Sequence, residues 1–157
     1  MSAYLDGVFG LSGRTAVVTG GSSGIGRAMA VALGRAGARI VLVARRPGPL
    51  DEVLEELAGH GAEGHAISAD LADRTAVTVL VDKVRSEYGD PDVLVNSAAV
   101  NRRPPMDQLT EDDWDVTLTA NLTAPFLLGQ AFGPRMAAWH GHEPRAAGIG
   151  RAKRWVG

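Results

Sequence analysis

The chain has 157 residues, 45% apolar and 22% charged, enough for one globular domain with a real core and too little for two. A net charge of −2 gives no basis for binding nucleic acid or an anionic membrane, and the absence of cysteine excludes disulfide and thiol chemistry. No basic-then-apolar leader opens the sequence and no apolar run reaches membrane-spanning length, so a cytoplasmic domain is expected.

Short β-rich runs alternate with segments of helical period from Thr15 to Tyr88. Thr15-Ala16-Val17-Val18 is a first strand. It runs into Thr19-Gly20-Gly21-Ser22-Ser23-Gly24-Ile25-Gly26, a strand-to-helix turn. In such a turn Gly20 permits the tight bend, Gly24 lets backbone approach a pyrophosphate and Gly26 lets the helix pack on the strand. Free N–H groups at the helix start, with the positive end of its dipole, attract phosphate. The cofactor-binding candidates here are Gly20, Ser22, Ser23, Gly24, Ile25 and Gly26.

Ile25, Ala28, Met29, Ala32, Leu33 and Ala36 lie on one face of the helix that follows, which Gly37 closes. Ile40-Val41-Leu42-Val43 is the second strand, and Leu50, Val53, Leu54 and Leu57 mark a second helix ending near Gly59. His65-Ala66-Ile67-Ser68-Ala69 is the third strand. Val77, Leu80, Val81, Val84 and Tyr88 form the next helical stripe, closed by Gly89, and Val93-Leu94-Val95 is the fourth strand. Such alternation gives parallel strands with helices on both faces. The order 3-2-1-4 puts a ligand crevice between strands 1 and 4, where the winding reverses.

After Asn101-Arg102-Arg103-Pro104-Pro105, a helix starts with its cap at Thr110 and runs through Trp114, Leu118, Leu122, Leu127, Ala131 and Met136, kinked at Pro125. Residues 140–157 have no strand or helix period and carry four basic residues against one acidic residue, as a tail would. The expected division is a partial nucleotide-binding domain over residues 1–138 and an atypical basic tail over 139–157, with the composition of a frameshifted segment. His140, His142 and Glu143 are too few and too local for a metal site, and none is expected.

Three motifs in order carry a resemblance: Thr19-Gly20 through Gly24 and Gly26, Asp70-Leu71 after the third strand, and Asn96-Ser97-Ala98-Ala99 after the fourth. Over about residues 11–139 the chain resembles the short-chain dehydrogenase/reductase family, and its fold is expected to be a Rossmann-type doubly wound parallel sheet, incomplete after the fourth strand. The resemblance implies that Asp70 accepts a hydrogen bond from the adenine amino group with Leu71 beside the ring; capping the helix near Asp73 is the competing role for Asp70. Asn96 and Ala98 would border the cofactor, although Ser97 and Ala99 replace an asparagine and a glycine of the family pattern. Asn121 matches the family's catalytic asparagine, which holds a helix carbonyl and a water of the proton relay.

The second strand ends in Ala44-Arg45-Arg46, where an NAD enzyme often places an acid. A guanidinium there suits a 2′-phosphate, which favours NADP over NAD with Arg45 ahead of Arg46; a solvated basic loop is the alternative. The loop with Arg102 and Arg103 is similar to that of gluconate-type and deoxygluconate-type sugar-acid dehydrogenases, and either arginine could hold a substrate carboxylate.

The family's serine, tyrosine and lysine are not found. Only Tyr4 and Tyr88 are tyrosines, and Val8 and Asp92 stand four residues beyond them where the family has lysine. The resemblance thus implies an NADP-dependent oxidoreductase, moving hydride between nicotinamide and a small carbonyl or alcohol substrate, in a chain truncated and inactive alone. A non-catalytic NADP(H)-binding module and a non-functional gene remnant are the alternatives. An unpartnered apolar fourth strand and an exposed long helix lead to an expectation of a homo-oligomer or self-association.

Overall fold

A computed structural model describes residues 8–139. The elements are β1 (Thr15–Thr19), α1 (Gly24–Arg35), β2 (Arg39–Ala44), α2 (Pro47–Gly59), β3 (Gly64–Ser68), α3 (Arg74–Tyr88) and β4 (Val93–Asn96). A 3-10 turn (Met106–Gln108) then leads to α4 (Glu111–Leu118), a π-helical segment (Thr119–Thr123) and α5 (Ala124–Trp139). The four strands are all parallel in the order β3-β2-β1-β4, as the alternation of short apolar runs and helices predicts.

Strand residues alternate between two cores because successive side chains leave a sheet on opposite faces. Val17, Val41, Val43 and Ile67 meet Val77, Leu80 and Val84 of α3 and Leu128 and Phe132 of α5 on one face. Ala16, Val18, Ile40 and Leu42 meet Ala30 of α1 and Leu50, Val53 and Leu57 of α2 on the other. β4 belongs to both, with Leu94 on the first core and Val93 and Val95 on the second, but all three are only half-buried. Among the described residues β4 has a neighbour on one side only, so it is the apolar sheet edge that the sequence predicts.

The long helix from Thr110 is not continuous. Thr110 accepts from Asp113 N–H and Asp113 accepts from Thr110 N–H, a capping box that starts α4. The ladder then widens to π over Thr119–Thr123 before α5 resumes. Pro125 explains the position: lacking an N–H, it cannot bond the Asn121 carbonyl in the α pattern, and its ring would press on that carbonyl. The irregularity expected at Pro125 therefore falls in the turn before it. Pro134 is a second proline, inside α5. The basic tail, including His140, His142 and Glu143, lies outside the described residues.

Candidate nucleotide-binding cleft

A cleft of about 450 Å³ opens at the C-terminal ends of the strands, where β1 lies between β2 and β4. Its floor is the turn after β1. Gly20 N–H donates to Val43 O at 2.8 Å, carrying the β1–β2 ladder one residue past the strand. Gly20 sits at φ +67°, and a Cβ on it would lie 2.7 Å from Ala98 N. A Cβ on Gly26 would in turn strike the Gly20 carbonyl. α1, the turn and the β4 loop therefore stack backbone on backbone, and the glycines make that contact possible. Gly24 has φ +54° with open space around its Cβ direction. Ser23, the residue before α1, makes no side-chain cap bond, and the first turn of α1 has no acid. The first N–H groups and the positive dipole end are thus left for an anion.

The β4 side of the floor is fixed by two polar side chains. Thr19, 1% exposed, donates through its hydroxyl to Val95 O at 3.2 Å and accepts from Ser97 N at 3.1 Å and Ala98 N at 3.2 Å. Asn121 grips Val100 from both sides: Val100 N donates to Oδ1 and Asn121 Nδ2 donates to Val100 O, each at 2.8 Å. These bonds hold the chain from Ser97 to Val100 along the cleft wall.

On the opposite wall Arg45 and Arg46 are exposed, and neither guanidinium has an ion-pair partner among the described residues. Ser68 at the end of β3 donates to the Arg45 carbonyl at 2.9 Å. Asp70 Oδ1 accepts from Ala72 N at 3.0 Å, whereas the cap of α3 is Asp73, which accepts from Thr75 N at 2.8 Å. The competing role of helix cap therefore falls to Asp73 and leaves Asp70 on the cleft. Leu71 lines it too, mostly buried against the core.

The cleft brings together Gly20, Ser22, Ser23, Ile25, Arg45, Asp70, Leu71 and Ala98 of the predicted set. Gly24, Gly26, Asn96 and Asn121 do not line it. Gly26 is buried beneath Gly20, and Gly24 faces open space beside the cleft. Asn96 pairs in register with Thr19, and the residues after it form the wall. The Asn121 amide is taken up by Val100, and the preceding Ala120 faces the cleft in its place. The sequence did not reveal Thr19, Val100 or Ser68 as site residues, since their partners lie far along the chain.

Arg102 is not free to meet a substrate. Its Nη1 contacts Asp112 Oδ2 at 3.0 Å and Asp113 Oδ1 at 2.8 Å. The Arg102 hydrogen bond, then those of Thr110, hold the Asp113 carboxyl below the usual carboxylate range, and the two aspartates push the Arg102 guanidinium up. Arg103 is exposed and has no partner among the described residues. Tyr88 stands at the end of α3 with its ring 4.6 Å from that of His65, and burial followed by Glu87 pushes its phenol up. That is opposite to the lowered phenol of a lysine-assisted acid. Among the described residues no group of three or more His, Cys, Asp or Glu side chains is placed to share a metal ion. None of their helices is long and apolar enough to cross a membrane.

The family model described as short chain dehydrogenase matches residues 14–145. The chain belongs to the short chain dehydrogenase family. It is 41% identical to D-threitol dehydrogenase of Mycolicibacterium smegmatis over 128 residues, which are 82% of this chain and 49% of that one. It is 36% identical to gluconate 5-dehydrogenase of Gluconobacter oxydans over 129 residues, 82% of this chain and 50% of that one. Among solved structures, a metagenomic short-chain oxidoreductase in complex with NADP matches with a TM-score of 0.77 and 42% identity, over 82% of this chain and 59% of that one. L-sorbose reductase from Gluconobacter frateurii, complexed with NADPH and L-sorbose, matches with a TM-score of 0.76 and 34% identity, over 83% of this chain and 50% of that one. The chain spans about half the length of the curated relatives it matches.

Proposed function

We propose that this chain is the cofactor-binding part of an NADP-dependent oxidoreductase acting on small polyhydroxylated carbonyl or alcohol substrates. The observation that carries the cofactor choice is the pair of unpaired guanidinium groups, Arg45 and Arg46, on the wall across from the α1 N-terminus. A 2′-phosphate is a bidentate partner for such a group, and no acid stands at the end of β2 to favour a free ribose hydroxyl. The residues fit a dinucleotide: the uncapped α1 start and the open approach at Gly24 suit the pyrophosphate, and Asp70 Oδ2 is available to an adenine amino group. The relatives solved with NADP or NADPH support the same choice.

When bound, the nicotinamide cofactor supplies or accepts a hydride. The chain's own part is to bind and orient. Ser22, Ser23 and Ile25 would hold the phosphates and Leu71 and Ala98 the rings, while Asn121 keeps the wall at Val100 in place. The domain of residues 1–138 is proposed as this binding unit. With no tyrosine followed four positions later by lysine among them, these 157 residues are proposed to bind cofactor without turnover by themselves. Arg103 is left as the candidate for an anionic or polyol substrate group, in line with relatives named for threitol, gluconate and sorbose.

Self-association is proposed on the exposed stripe Trp114, Leu118, Leu122 and Phe126, four residues apart from α4 through the π-helical segment into α5. The cytoplasm is the compartment proposed. The deciding test is calorimetric titration with NADPH and with NADH. Tighter binding of NADPH that falls roughly 10- to 100-fold in Arg45→Ala supports the reading. Equal binding of the two, or no heat at millimolar concentration, refutes it.

A further inference from the structure

We propose that Ser68 is a positioning residue for recognition of the 2′-phosphate, acting by holding the backbone of Arg45. The inference rests on the assignment of Arg45 to that phosphate. The ladder between β2 and β3 ends with Ala69 N–H donating to Ala44 O at 3.1 Å. One residue farther on, the Ser68 hydroxyl donates to the Arg45 carbonyl at 2.9 Å, so a side chain extends the pairing past the last backbone rung. Nothing in the α2 start does the same. Arg46 is its N-cap, with no side-chain cap bond and an extended backbone at φ −101° and ψ 124°.

Pro47 and Pro49 have no N–H to offer, so the first turn of α2 is poor in the donors that make other helix starts bind phosphate. Recognition of a 2′-phosphate on this wall therefore falls to guanidinium groups. A bidentate guanidinium–phosphate contact is sensitive to where the side chain is rooted. The Ser68 side chain roots Arg45, whereas Arg46 is placed by the start of α2 and the following proline, with no side-chain cap bond. Arg45 is thus the member of the pair whose backbone is held by a side chain.

The experiment is calorimetric titration of the whole 157-residue chain with 2′,5′-ADP and with 5′-AMP, which differ in the phosphate concerned. Ser68→Ala is expected to weaken 2′,5′-ADP binding about fivefold, the worth of one neutral hydrogen bond, and to leave 5′-AMP unchanged. Ser68→Thr, which keeps the hydroxyl, is expected to bind both as the unmodified chain does. Arg45→Ala is expected to erase the difference between the two nucleotides. Equal weakening of both by Ser68→Ala would assign Ser68 a general structural role and overturn the inference. So would an unchanged Ser68→Ala beside an Arg45→Ala that has lost discrimination. If the unmodified chain does not distinguish the nucleotides, the assignment of Arg45 itself fails and takes this inference with it, a failure visible before any substitution is made.

Discussion

Removing the Thr19 hydroxyl while keeping its shape, as Thr19→Val does, strips partners from three backbone groups at once. Val95 O, Ser97 N–H and Ala98 N–H all bond that oxygen, at 3.1–3.2 Å, from a residue only 1% exposed. At about 1 kcal/mol net for each bond the loss is about 3 kcal/mol. For a chain of this length that lowers the melting temperature by about 6–12 °C. Thr19→Ser keeps all three bonds and removes one methyl group, at about 1 kcal/mol. Urea denaturation of the three proteins without ligand measures the order directly. The midpoint should fall well below that of the unmodified chain for Thr19→Val and only slightly for Thr19→Ser, with similar slopes. If Thr19→Val is as stable as the unmodified chain, or more stable than Thr19→Ser, the hydroxyl does not hold the β4 loop and the account of the cleft floor is wrong.

Gly20→Ala should cost about 3 kcal/mol, because φ +67° and backbone 2.7 Å away both oppose a Cβ, whereas Gly24→Ala, strained but in open space, should cost about 1 kcal/mol; thermal melts compare them. Asn121→Asp keeps an acceptor for Val100 N–H but sets an oxygen against Val100 O, so amide exchange at Val100 should accelerate about 10-fold, read by mass spectrometry. The Asp113 carboxyl, held low by Arg102 and Thr110, contributes fully above the usual carboxylate range. That contribution is lost as pH falls through its lowered value. Protection of the α4 amides, taken relative to their intrinsic exchange rates, should therefore fall on acidification, and Arg102→Met should shift that fall to higher pH.

Features with a local signature were open to sequence reasoning. The turn after β1 was legible because a positive φ and a backbone contact leave no residue but glycine, and the helix start at Thr110 because a cap and its partner lie three residues apart. Parallel pairing followed from the alternation, and the order 3-2-1-4 is the Rossmann-type one of the two common doubly wound orders. What stayed hidden joins distant residues. Thr19 looks like any strand residue until its partners Val95 and Ser97 arrive 76 and 78 positions later. Asn121 looks like an indifferent helix former until Val100 is seen 21 positions earlier. Arg102 and Arg103 are equivalent in sequence, and only the fold shows that the first is held by Asp112 and Asp113. At the π-helical turn the sequence points only to a kink, since a proline announces a disturbance without saying how the ladder absorbs it.

The backbone stack of Gly26 on Gly20 on Ala98 has a bearing on how such a cleft can be altered. At that contact the floor is main chain against main chain with no side chain to exchange, so substitution of either glycine trades one folded protein for a worse one. The rim at Arg45 and Arg46 is made of exposed side chains, which can be swapped without moving the floor. Retuning cofactor preference, by an engineer or by drift, has its cheapest route along that rim, and variation should concentrate there while the floor stays fixed.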